Sequence, residues 1–543
     1  MPIRALLPAL ALLAGLLCAQ APETEPGSVE GIVVNAVTTE PIRKAAVTLQ
    51  GISGPSAASA ARISMTDAAG HFRFDNVAPG SYWVAADRDG FLASYRRGTR
   101  MTVTVAEGQQ VQDVAVKLLP LATVKGHVLD EDGDPLVRAN VRAMQYQYNQ
   151  GRKQLVAVGF AGADDRGEFE IASLEPGRYY LMATAGGADR NVPPRTRWTH
   201  PDETYPTTFY PNATDVGQAM ATDLAAGAKL NGVDFRLQKV PAYHLRGKMT
   251  GMTNGMLGFV QLRSASANGA DIVPMALQKD GSFDQGGIVS GWYDLAFSRQ
   301  DSGTVLYGHE KVNVTDQDIN DLILNPSPGL DISGAVSVEG TAPDRLMVQV
   351  SLDPVEPSMF FRGPTSHMGD KGSFTIQGLS REAYRVGVFN TPPGKYVKSI
   401  RFGARDIKDG QIDLTSGVAA PLSIVLGADG ASISGTVEMP DGTPAVGAWV
   451  TVVPEGDSRS REDLFKLTAS DARGKYEIRG IAPGEYRLFA WEVDTDGLTR
   501  SAEFRAAFES KSVAVALDAN GHASTTLTAI TFDEIEKQRS KMQ

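Results

Sequence analysis

Along most of this chain apolar residues fall at every second position in short runs, and Gly, Pro, Asp and Asn break the runs. Alternation places the apolar side chains on one face of a β-strand, so the pattern predicts short strands joined by tight turns. The pattern also recurs. DAAGHFRFDNVAPGSYWV from Asp67, DDRGEFEIASLEPGRYYL from Asp164, KDGSFDQGGIVSGWYDL from Lys279, GDKGSFTIQGLSREAYRV from Gly369 and DARGKYEIRGIAPGEYRL from Asp471 align on Gly70, Gly167, Gly281, Gly372 and Gly474. Two residues after each glycine stands an aromatic: Phe72, Phe169, Phe283, Phe374 and Tyr476. Seven after it comes an aliphatic residue: Val77, Leu174, Ile288, Leu379 and Ile481. Twelve after it comes a tyrosine: Tyr82, Tyr179, Tyr293, Tyr384 and Tyr486. The whole chain has 15 Tyr, so five in one register mark a repeat.

Each part of the unit has a physical reading. Gly accepts a positive φ and Asp bonds its own backbone, so the Asp/Gly pair starts a turn. In the strand that follows, the aromatic shares a face with a second apolar residue in four copies (Phe74, Ile171, Ile376, Ile478). Three copies then have a Pro-Gly turn, at Pro79-Gly80, Pro176-Gly177 and Pro483-Gly484. In the next strand the tyrosine and the residue two beyond it (Val84, Leu181, Leu295, Val386, Leu488) share a face. The expectation is a hairpin-like pair burying one stripe, with the ten aromatic residues of the register as core. Upstream of each copy lies a leading strand with a central glycine: Gly31, Gly126, Gly247, Gly334 and Gly435, spaced 95, 121, 87 and 101 residues apart. About a hundred residues with six or seven short strands is the size of an immunoglobulin-like sandwich.

The predicted fold is therefore all-β, a tandem array of about five immunoglobulin-like sandwiches. Expected limits are 27–120, 121–240 (with an insertion at 186–232), 241–328, 329–428 and 429–530, followed by a charged tail at 531–543. In three copies a proline follows the leading strand with a valine six residues on (Pro41/Val47, Pro135/Val141, Pro444/Val450). With D-x-x-G-x-F and P-G-x-Y-x-L, this resembles the carboxypeptidase regulatory-like domain. That resemblance implies a prealbumin-like β-sandwich related to collagen-adhesin B-type and starch-binding-like modules. It covers nearly all of residues 28–530, and its motif residues are turn and core positions rather than chemistry.

Charge and the first residues narrow the class. Net charge is −11 and no Lys/Arg block occurs, which argues against nucleic acid as a partner. Arg4 followed by the apolar run at 5–17 reads as a secretory signal over residues 1–21, with cleavage after Ala19 or Ala21. The protein is thus expected to be exported to the periplasm, the outer surface or the medium, with no membrane span in the mature chain. The one Cys, Cys18, lies within the signal; a lipid anchor there is the less favoured reading, because Leu17 precedes it. Disulfides and thiolate chemistry are unavailable to the remainder.

Candidate chemistry is sparse. His200 and Glu203, with His309, mimic the H-x-x-E and distant His of zinc carboxypeptidases, but they sit in a Pro-rich loop and in the next module. Asp130, Asp132 and Asp134 alternate as in a calcium loop, yet Pro135 stands where Gly is needed and Val141 where a Glu is needed, so a plain turn is expected. Lys125 and Lys248 lie in leading strands, where collagen-adhesin modules can carry a Lys–Asn bond; the accompanying Glu is missing and no such bond is predicted. No catalytic residue, metal site or cofactor is expected. The best candidate ligand surface is the insertion, where Trp198, Tyr205, Phe209 and Tyr210 stand among prolines and could stack on sugar rings; the plainer reading is that the loop folds back. Trp83, Trp292 and Trp491 should occupy the face opposite the core tyrosines and pack on a neighbouring domain or loop. The favoured function is a non-catalytic scaffold with a protein or polysaccharide partner at the cell envelope. Carbohydrate binding is the alternative, and a zinc peptidase the remote one.

Overall fold

The leading strands Gly27–Asn35, Ala122–Leu129, Tyr243–Met249, Leu330–Val338 and Ala431–Glu438 each lie between two neighbours. Their alternating residues and central glycine suit a strand flanked on both edges. These come from a computed structural model describing residues 25–53, 60–94, 101–149, 152–185, 203–252, 258–265, 272–301, 304–340, 347–355, 366–368, 372–417, 419–495 and 497–542. On one edge of each leading strand runs the aromatic strand, antiparallel: His71–Val77, Glu168–Leu174, Ser282–Ile288, Ser373–Leu379 and Lys475–Ile481. On the other edge runs a closing strand, parallel: Gln110–Pro120, Ile319–Leu324, Leu422–Gly427 and His522–Thr528. In the second copy two short pieces, Lys229–Leu230 and Phe235–Arg236, take that place.

The tyrosine strands join a different sheet. Gly80–Asp87, Gly177–Thr184, Gly291–Asp301, Ala383–Phe389 and Gly484–Trp491 pair antiparallel with Ala46–Ser53, Asn140–Asn149, Gly258–Ser264, Gln349–Pro354 and Trp449–Pro454. The expected hairpin-like pair is therefore corrected. The short turn between aromatic and tyrosine strand carries the chain from one sheet to the facing one, so the two stripes meet across the core instead of lying side by side. Alternation is the same in either arrangement, because both strands present one apolar face inward.

The core lies between the sheets. Phe169, Ile171, Tyr179 and Leu181 share one buried cluster, Phe283, Tyr293 and Leu295 a second, Phe374, Tyr384 and Val386 a third, and Tyr476, Tyr486 and Leu488 a fourth. Phe72, Phe74, Tyr82 and Val84 are buried in the first copy. The chain divides into two compact units, one comprising most of the first copy up to residue 118 and one comprising residues 90–92 together with the chain from residue 119 onward. Two short helices end the second unit, α1 (Ala502–Ala506) and α2 (Phe532–Met542). The charged tail is thus a helix with Ile535 and Met542 buried on one face. Its start carries a T-x-x-E signature: the Glu534 carboxylate accepts from the Thr531 backbone N–H at 3.2 Å, one arm of a capping box. Among the described residues no helix is long and apolar enough to cross a membrane.

Candidate functional site

The recurring tyrosines are held alike in all five copies. Each hydroxyl donates to the backbone carbonyl four residues upstream: Tyr82 to Ala78 at 2.6 Å, Tyr179 to Glu175 at 2.6 Å, Tyr293 to Val289 at 2.9 Å, Tyr384 to Ser380 at 3.1 Å and Tyr486 to Ala482 at 2.8 Å. The acceptors belong to the sheet-crossing turn, so the ring fills the core while its oxygen secures the corner. That explains why the position is Tyr and never Phe. Burial pushes the Tyr384 and Tyr486 phenols up to about 12. The leading glycines are equally committed. A Cβ on Gly31, Gly247, Gly334 or Gly435 would stand 2.0, 2.1, 2.4 or 1.8 Å from a carbonyl oxygen of the closing strand, and one on Gly126 would stand 1.8 Å from the Val233 carbonyl oxygen, between the two short pieces that replace it. Only a residue without a side chain lets that strand pass.

The insertion aromatics are occupied by the protein itself. Phe209 is 0% exposed and packs with Met144, Leu155 and Met182 on the outer face of its sheet, so it offers no ring to a ligand. Tyr210 lies 5.8 Å from Phe235, edge to face, against the second core. Tyr205 donates to Glu131 at 2.9 Å, and Lys239 pairs with the same carboxylate at 2.7 Å while standing over the Tyr205 ring. The Lys239 bond holds Glu131 below the usual carboxylate range, and burial raises Tyr205. Tyr205, Phe209 and Tyr210 thus tie the loop to its own module, because aromatic area in a Pro-rich segment gains by packing on a nearby apolar sheet. Trp198, with His200, lies outside the described residues. Alternation could not distinguish these outcomes.

The three other tryptophans diverge. Trp491 is 0% exposed, stacks on Phe489 at 5.5 Å and is covered by Phe504 and Phe508, with its Nε1 donating to Thr451 at 3.1 Å. Trp83 is half-buried. Trp292 is 58% exposed, contrary to the packing expected for it; among the described residues its copy has no counterpart of the helices α1 and α2 that cover Trp491. Asp130 accepts from the backbone N–H of Asp132 and of Asp134 at 3.0 and 2.8 Å, a turn aspartate's usual bonds. His309 stands 3.6 Å from Asp294. Among the described residues no group of three or more His, Cys, Asp or Glu is placed to hold a metal ion.

One cleft collects polar groups that the repeat does not use. It has a volume of about 750 Å³ and lies between the outer face of the third copy's sheet and the tyrosine corner of the fourth. Arg263, Asp294 and Lys311 form a cross-strand row on that face, and Arg263 pairs with Asp294 at 3.2 Å. Opposite them stand Arg381 and Glu382, in the copy where these residues replace the Pro-Gly turn. Glu382 accepts from Ser380 Oγ at 2.7 Å. The Arg381 and Lys311 side chains make no ion pair or side-chain hydrogen bond among the described residues. Sequence reading missed this site, although the lost Pro-Gly was its signal.

Comparison with known proteins identifies two stretches. The carboxypeptidase regulatory-like domain model matches residues 28–118 and 432–528, the first and last copies. Those stretches carry that domain's pattern, as their motifs implied. No curated protein matches. Solved structures similar to the chain include the TIE protein of Bacillus anthracis (12% identity, TM-score 0.18, covering 56% of this chain and 51% of that one). Another is BcpA, the major pilin subunit of Bacillus cereus (12%, TM-score 0.18, 56% of this chain and 99% of that one). A third is GBS52, the minor pilin of Streptococcus agalactiae (14%, TM-score 0.23, 40% of this chain and 97% of that one).

Proposed function

We propose that this protein is an exported, non-catalytic scaffold whose five sandwiches fold as separate cores and present surfaces to protein partners at the cell envelope. The observation that carries the reading is the use of the repeated residues. All five tyrosine hydroxyls bind their own turns, and all five leading glycines lie under the closing segment of their own copy. A repeat selected for chemistry would keep reactive groups facing a cleft; this one keeps corners and crossings. Carbohydrate stacking loses support, since Phe209 is enclosed and Tyr205 and Tyr210 are engaged with the loop's own neighbours.

The test is made on the full chain in its exporting host. The mature mass should begin at Gln20 or Pro22, and a chain lacking residues 1–21 should stay inside the cell. A photo-crosslinking amino acid in place of Trp292 is expected to give discrete protein adducts at the envelope. Retention of the full-length precursor in the cytoplasm, or stoichiometric zinc that His200→Ala removes, would sink the reading.

A further inference from the structure

One strand pair of the repeat is much longer in the second copy than elsewhere. There Asn140–Asn149 and Arg152–Gly162 have 10 and 11 residues. The counterparts have 8 and 4 in the first copy (Ala46–Ser53, Arg62–Met65), 7 and 4 in the third (Gly258–Ser264, Ile272–Met275) and 6 and 4 in the last (Trp449–Pro454, Lys466–Ala469). The tyrosine strand of the second copy pairs only with 140–144. Among the described residues, 145–149 therefore has 152–156 as its one strand neighbour. A two-stranded arm of this kind is marginal in water unless its side chains find cover. Tyr146 finds it locally, 5.5 Å from Tyr180 and beneath the Lys153 ammonium. Tyr148, two residues further out, finds it in the last copy.

Tyr148 packs against the cluster of Trp491, Phe504, Phe508 and Ile535, and among the described residues it is the one member from outside the last copy. Its hydroxyl donates to the Glu503 carboxylate on α1 at 2.9 Å, across 355 residues of sequence. Burial, with that bond, pushes the Tyr148 phenol up to about 12. So small a contact could not close a flexible loop of this length, because the entropy of closure outweighs one hydrogen bond and one half-covered ring. Each joint along the way, however, is tied. Between the second and third copies Glu203–Thr204 pairs with Val240–Pro241. Between the third and fourth Ser327–Pro328 pairs with Leu306 and Tyr307. Between the fourth and last, Arg461 donates to Asp463 at 2.6 and 2.7 Å and to the Val397 carbonyl at 3.2 Å. The Arg461 and Asp463 side chains are 9% and 1% exposed, and Arg385 pairs with Glu462 across the same joint.

We infer that the arm of the second copy is a clasp on the helical cover of the last, closing copies two to five on themselves at Tyr148 and Glu503. The tied joints hold the two surfaces near each other, so the contact forms at a high effective concentration. A half-buried ring and an exposed carboxylate make a contact weak enough to open. Opening frees the last copy from the second while every sandwich keeps its core. The inference concerns how modules are joined, so it stands or falls apart from export and from any partner at the envelope.

The test uses the chain from residue 22 onward, which has no cysteine of its own. Gln147→Cys and Ala502→Cys, exposed neighbours of the contact pair, carry nitroxide labels for a double electron–electron resonance distance measurement. A narrow, short distance is expected, and mixed singly labelled chains should show none. Tyr148→Ala should lower the closed-to-open ratio about tenfold, and Tyr148→Phe by less, with unchanged melting curves. Arg461→Ala made together with Asp463→Ala removes the joint without leaving an unpaired buried charge. It should broaden the distance while Ala431–Glu438 keeps its slow amide exchange. A long or broad distance in the parent chain, or one that Tyr148→Ala leaves unaltered, would overturn the proposal. So would a short distance between two singly labelled chains, or one that stays narrow in the joint variant.

Discussion

A Tyr486→Ala chain is expected to lose its last sandwich while the other copies keep their structure. Tyr486 is 2% exposed and sits in a cluster with Val450, Val452, Ile478 and Leu488. Truncating so large a buried ring costs about 3–5 kcal/mol, which approaches the whole stability of a domain of this size. Tyr486→Phe separates the two roles of the residue. It keeps the ring and removes the 2.8 Å bond to the Ala482 carbonyl, at a cost of about 1–3 kcal/mol. Hydrogen exchange read segment by segment checks both variants. Amides of Ala431–Glu438 and Gly484–Trp491 should exchange by global opening in the alanine chain and show an intermediate increase in the phenylalanine chain. Equal exchange in all three proteins would mean that the corner contributes nothing.

Gly31→Ala is expected to be nearly as damaging although it adds one methyl group. The new Cβ would stand 2.0 Å from the Val114 carbonyl oxygen and 2.8 Å from the Val114 Cβ, both on the closing strand. Relief requires the parallel ladder between Gly27–Asn35 and Gln110–Pro120 to shift, and overpacking of that kind costs about 3 kcal/mol or more. Gly162→Ala is the control. Nothing lies within 4 Å of its added carbon, so its stability should change by less than about 0.5 kcal/mol. Thermal denaturation of both variants distinguishes a crossing constraint from a general intolerance of alanine.

How much of this was legible beforehand depends on the kind of signal. Period, register and inward faces could be read directly, because a buried strand must alternate and a repeat must keep its core. The sheet each strand joins could not be read. Alternation fixes a face, and the same stripe serves a hairpin or a corner; the tyrosine hydroxyl, which Phe lacks, was the hint towards the corner. The insertion showed aromatic residues but not their fate, since Phe209 reaches Met144 and Met182 only after the chain returns to the sheet. The final helix was signalled by Thr531 and Glu534 and by the seven-residue spacing of Ile535 and Met542, but the charge around them obscured it. The cleft beside the third copy's sheet lay in a departure from the repeat, at Arg381-Glu382.

One buried tyrosine closes a corner in each of the five copies of the repeat. Tetranitromethane nitration of the native chain, mapped by peptide mass and compared with the denatured chain, tests it most directly. The reagent attacks accessible phenolate, and burial both encloses these rings and, at Tyr384 and Tyr486, pushes the phenol up to about 12. Tyr82, Tyr179, Tyr293, Tyr384 and Tyr486 should all stay unmodified in the native protein and react once it is unfolded. Nitration of two or more of the five at the denatured rate, in a chain that still melts cooperatively, would contradict the account.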